Sequence, residues 1–157
     1  MVALVILAIL AGLSVPMFNS FVRNQRVKTT TSDLAYALTF ARGEALKRNA
    51  EVDVLPASDP DGWAFGWTVT TAAVATPLLI HETPGFVNQQ GDRSSYLTIT
   101  GPDAITYNGD GRPVSTAVTV FEIRAAGDSN AGSKTRCVFV DLSGLPRTTV
   151  SDSGECS

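Results

Sequence analysis

For its first 22 positions the chain carries no charge: MVALVILAILAGLSVPMFNSFV is apolar apart from Ser14, Asn19 and Ser20. As an α-helix this run would be about 33 Å long, enough to cross the hydrocarbon core of a bilayer. Gly12 and Pro16 are tolerable in a membrane helix, although Pro16 removes one backbone hydrogen bond and is expected to kink it. The alternative is a cleaved secretory signal, but no basic segment precedes the run and no small-x-small cleavage site lies before Phe18.

The helical pattern continues past Arg23. Leu34, Leu38, Ala41 and Ala45 recur at spacings of four, three and four, which marks one face of an amphipathic helix. Lys47 and Arg48 complement the helix dipole at its end, and Asn49 can stop it. Residues 1 to about 49 therefore read as one long helix. Two helices are the alternative, with Thr31 and Ser32 of TTTSD available as caps.

Beyond Glu51 the period changes to short β-rich runs at 51–55, 65–71, 77–82, 96–100, 104–108, 119–126 and 136–142. SDPDG, NGDGRP, GDSNAG and SDSG separate or follow them and carry the Gly, Asn, Asp and Pro that turns require. A sheet must cover its apolar face, and the helix ending near residue 49 is the amphipathic element available to do so. The expected class is α+β: one long N-terminal helix packed on an antiparallel sheet, divided into an apolar segment 1–22 and a globular part 23–157.

Charge changes this picture little. The formal net charge is −3, with Arg23, Arg26, Lys28, Arg42, Lys47 and Arg48 clustered ahead of an acidic remainder, so any nucleic-acid site must be local. Cys137 and Cys156 belong to no Cys-x-x-Cys pair and no His cluster. A disulfide between them would close a loop of about 20 residues, contribute roughly 3 kcal/mol and indicate an oxidising compartment; two unpaired thiols are the alternative.

Candidate chemistry is sparse. His81 is the only histidine and has no nucleophile motif around it. DLSGL around Ser143 is not a nucleophile elbow, and no Gly-rich phosphate loop precedes a helix. Asp59, Asp61 and Asp110 lack EF-hand spacing and read as turn residues. No enzymatic activity, cofactor or metal is expected. DGWAFGW places Trp63, Phe65 and Trp67 at alternating positions of an apparent strand, aimed at one face for core packing or, alternatively, for a partner or base stacking.

MVALVILAILAGLSVPMF resembles the hydrophobic N-terminal helix of type IV pilins and type II secretion pseudopilins, proline included. LTFARGEALKRNAEVDV followed by DGWAFGWTV is similar to the GspH/FimT family of minor pilins and pseudopilins, in which an A-R-x-E-A helix end leads to a W-x-x-G-W strand. CVFVDLSGLPRTTVSDSGEC resembles the tail of the family's type IV pilus members, bracketed by two cysteines. The family's basic leader, its glycine and an F-T-L-I-E-like segment do not precede the apolar run here.

The resemblance implies a pilin-like fold with a disulfide-closed C-terminal tail. It also implies a subunit held in the bacterial inner membrane, domain in the periplasm, before it enters a cell-surface pilus. Leu4, Leu7, Leu10, Gly12 and Pro16 would belong to the helix that contacts the membrane and then other minor and major pilins; Ala8, Ala11 and Gly12 allow close approach. Arg23 and the basic residues after it would then be periplasmic, against the positive-inside tendency, which the leader must override. The implied function is a minor pilin assisting pilus assembly. Two alternatives come with the family, a type II secretion pseudopilin and a receptor for double-stranded DNA in natural transformation. The receptors' G-R-x-R element corresponds to Gly144, Leu145, Pro146 and Arg147, with leucine at the first arginine. Lys134, Arg136 and Arg147 are the candidate DNA contacts, diluted by Asp141, Asp152 and Glu155.

Overall fold

A computed structural model describes residues 2–57, 62–87, 93–127, 134–152 and 154–156, with side chains described outside 2–19, 86, 87 and 93. Helix α1 spans Val2–Arg48 without interruption, so the two-helix alternative does not hold. At TTTSD the hydroxyls bond backward rather than cap: Thr31 Oγ1 donates to the Val27 carbonyl at 2.6 Å and Ser32 Oγ to that of Lys28 at 3.1 Å. Such i−4 bonds satisfy the hydroxyl inside a helix without ending it. The helix stops at Asn49, whose φ of 49° takes the left-handed conformation that asparagine tolerates.

The strands are β1 (Val52–Pro56), β2 (Gly66–Thr71), β3 (Val74–Glu82), β4 (Gly85–Val87), β5 (Arg93–Ser95), β6 (Leu97–Thr100), β7 (Ile105–Tyr107), β8 (Thr119–Ala125), β9 (Thr135–Val140) and β10 (Pro146–Ser151). The expected single sheet is divided in two. One runs β3-β2-β1-β7 and the other β10-β9-β8-β6, while β4 and β5 form a separate ribbon. Every pairing is antiparallel.

The division follows from the helix, which packs against β1 of the first sheet and β8 and β9 of the second. Among the described residues, burial of α1 begins at Val27 and continues through Leu34, Leu38, Ala41 and Ala45, all shielded from solvent. A fully buried leucine contributes roughly 1.5–3 kcal/mol through burial, and the two alanines let strands approach the helix closely. The first sheet offers the row Val52–Tyr107 and the row Val54–Val69 to this core, and the second offers Phe121–Val138.

The DGWAFGW stretch corrects the strand expectation. Gly62–Phe65 is a short 3-10 helix and β2 begins only at Gly66, so Trp63, Phe65 and Trp67 do not alternate along one strand. All three are buried nonetheless. The turn gives the Trp63 indole an acceptor, the Pro102 carbonyl at 2.6 Å, and sets its ring edge-on to Phe121 with centroids 4.9 Å apart. Gly66 makes the bend possible, with a φ of 124° and no room for a Cβ against the His81 backbone.

Candidate functional site

The helix-end motif fastens α1 to the turns beneath it. Ala41 and Ala45 face the core, while Arg42 reaches sideways and donates through Nε to the Gly111 carbonyl at 3.0 Å. Gly111 sits in the NGDGRP turn after β7, where Asn108 Oδ1 accepts from the amides of Asp110 at 3.1 Å and Arg112 at 3.0 Å. Asp110 is therefore a turn residue, and no group of three metal-ligating side chains occurs among the described residues. Asp59 and Asp61 lie outside them. Glu44 accepts from Arg48 at 2.7 Å and Lys47 at 3.2 Å, contacts that hold its carboxyl below the usual carboxylate range.

Near the same junction the Tyr107 hydroxyl is buried without a partner. Burial drives its ionisation upward, with the Arg42 charge opposing the shift. The β9–β10 hairpin meets this junction through Gly144, with a φ of 79° and no room for a Cβ beside the Gly111 carbonyl oxygen. Asp141 accepts from the amide of Ser143 at 2.9 Å and from its hydroxyl, which lowers the Asp141 pKa. Ser143 thus takes part in the turn after β9.

His81 lies flat on the Trp67 indole, centroids 4.3 Å apart and planes 12° from parallel. Its Nε2 stands 3.9 Å from Asp33 Oδ2 on α1, an ion pair only when the imidazole is protonated. Beside it, a groove of about 460 Å³ opens between α1 and the end of β3, with Phe21, Arg26, Asp33, Thr83 and Tyr96 among its walls. The Arg26 guanidinium sits 4.0 Å from the centre of the Tyr96 ring, a cation–π contact. Thr83 Oγ1 is buried there without a hydrogen-bond partner. Sequence reasoning missed this groove because its walls come from three separate segments, around residues 21–33, 81–84 and 96–97; the one available signal was Phe21, an aromatic at the end of the apolar run.

Cys137 and Cys156 are joined, with Cα atoms 5.7 Å apart. The bond pins the tail across the second sheet, where the Cys156 amide donates to Glu122 Oε1 at 3.1 Å. The three candidate DNA contacts do not converge. Lys134 pairs with Asp152 at 3.1 Å. Arg136 stands opposite Val150, whereas Arg147 stands opposite Phe139, an odd number of residues away along β9. Side chains alternate along a strand, so the two arginines occupy opposite faces.

Leu4, Leu7, Leu10, Gly12 and Pro16 lie on the α1 backbone, with their side chains outside the described set. Among the described residues no helix is long and apolar enough to cross a membrane.

The family model for the type II transport protein GspH matches residues 30–144, well over half of the chain. No curated protein matches in sequence. Two crystal forms of the type IV minor pilin FimU from Pseudomonas aeruginosa strain PAO1 share the fold at 20% identity. The P21 form has a TM-score of 0.60 and covers 86% of this chain and 95% of FimU. The P65 form has a TM-score of 0.59, with coverage of 82% and 94%.

Proposed function

Because the chain belongs to the GspH family, we propose that it serves as a minor pilin of a type IV pilus, a structural subunit that assists pilus assembly. The observation that carries this reading is the continuity of α1 from Val2 to Arg48. One helix joins an uncharged segment of 22 residues to a domain that, among the described residues, buries one of its faces from Val27 onward. Such a helix can sit in the inner membrane and then pack among other pilin helices, since both surroundings favour an uncharged surface with small residues for close approach.

The globular end supports a role in contact rather than catalysis. Asn108 and Asp141 are engaged in turns, and Glu44 in ion pairs with Lys47 and Arg48 at the helix end. The cysteine-bracketed tail favours the pilus branch over a type II secretion pseudopilin. Binding of duplex DNA has less behind it, because Arg136 and Arg147 face opposite ways and Lys134 is paired.

Shearing pili from the bacterium that encodes this chain tests the proposal. The chain should travel with the pili in far fewer copies than the major pilin, and deleting its gene should reduce piliation while leaving protein secretion intact. A deletion that spares pili and blocks secretion would instead favour the pseudopilin.

A further inference from the structure

Among the described residues β3 is an edge strand, paired with β2 alone. From Thr70 to Ile80 the chain carries no charge. An unpaired edge displays a row of backbone N–H and C=O groups, which proteins usually blunt with charges, prolines or bulges. Here the first half of the strand carries a bulge and a proline, and the second half carries a formal charge only at its last residue, Glu82. The β2–β3 register shifts between Val69 and Thr71, and Pro77 lacks an N–H. Leu78–Glu82 has neither device. Within it Leu79 and His81 lie in register with Val69 and Trp67 of the core, while Ile80 falls in the opposite row with Thr68 and is 62% exposed.

This open half runs directly into the groove beside α1. His81, Glu82 and Thr83 line it on the strand side, and Phe21 and Tyr96 stand exposed at its wall. Thr83 is 3% exposed, yet its hydroxyl has no hydrogen-bond partner. A buried hydroxyl in that state is costly, and the cost is removed when an incoming group bonds it.

We propose that Leu78–Glu82 is a docking edge for an extended segment of a neighbouring pilin, which adds to β3 as a strand and places one side chain in the groove against Thr83. An extended segment fits because it supplies main-chain donors and acceptors at the spacing of the edge, which a helix has already used internally. The inserted side chain needs an apolar body to lie against Phe21 and Tyr96 and a hydrogen-bonding end to reach Thr83 Oγ1. This inference rests on the pilin reading and names one partner surface for it.

Amide hydrogen exchange on the full-length chain in detergent, alone and with the other pilins of the same bacterium, tests the proposal. Strand addition should slow alternate amides within Leu78–Glu82 by roughly tenfold or more, since main-chain pairing protects the groups it bonds. Ile80→Lys places a charge on the exposed row and should abolish that protection. Ile80→Thr, which keeps a β-branched side chain, should retain it, and unchanged exchange in the core strand β1 shows that both variants are folded. A complex that forms without slowing these amides overturns the docking edge and leaves the pilin reading intact. Failure to form a complex with any pilin overturns both.

Discussion

Gly144 lies so close to Gly111 that a Cβ on Gly144 would overlap the Gly111 carbonyl oxygen. That carbonyl also accepts the Arg42 hydrogen bond, so helix, turn and hairpin meet at one oxygen. Gly127 provides the control, with a similar φ of 82° and open space around it. Gly127→Ala should cost about 1 kcal/mol through backbone strain alone. Gly144→Ala should cost about 3 kcal/mol or more, because the clash adds to the same strain. Urea unfolding of the two variants separates the contributions.

Arg42 is the other half of that junction. Arg42→Ala removes a charge-assisted hydrogen bond from a partly buried carbonyl and should destabilise the protein by about 2 kcal/mol. Arg42→Lys should recover less than half of the loss, since an ammonium lacks the planar fork that aims Nε at Gly111. Thermal unfolding at neutral pH gives both values, and a lysine variant as stable as the wild type would remove the geometric argument.

How far such contacts were legible in the sequence depends on whether they are local. The helix face of Leu34, Leu38, Ala41 and Ala45 was readable because burial repeats with the helical period. β10 was not, because four of its six residues are exposed and PRTTVS shows no alternation. The 3-10 turn at Trp63 reads as strand because its aromatics alternate, and the acceptor its indole finds at Pro102 is 39 residues away. The groove and the separation of Arg136 from Arg147 both depend on strand register, which spacing alone does not fix.

The disulfide should carry measurable stability. Closing a loop of about 20 residues restricts the unfolded chain, so the double change Cys137→Ser, Cys156→Ser should cost roughly 3 kcal/mol. Reductant should destabilise the wild type by a similar amount and leave the double variant unchanged. Unfolding curves with and without reductant provide the comparison.

Acid should loosen the β9–β10 hairpin locally. The hydrogen bonds from Ser143 lower the folded-state pKa of Asp141 from 3.8, so its contribution is fully present above that value and disappears as pH falls through the lowered one. Asp141→Asn should therefore be less stable than the wild type at pH 6, and the gap should close as pH falls through the lowered pKa. Amide shifts of Ser143 followed down the same range should report the transition in the wild type alone.

Fluorescence anisotropy with duplex DNA and the full-length chain in detergent should give a flat trace at low salt. A local basic patch would instead bind and weaken steeply with salt. Binding that disappears in Arg147→Gln would show that this arginine acts without Arg136 beside it.

The pilin reading itself stands on the uncharged helix. Leu10→Asp puts a carboxylate into the middle of the apolar run, which on the proposed function would meet lipid before assembly and neighbouring helices afterwards. Counting surface pili by electron microscopy in a strain carrying this single change, with protein level checked, should show piliation reduced to that of the gene deletion. Piliation at the wild-type level, with the variant chain present, would contradict the assignment.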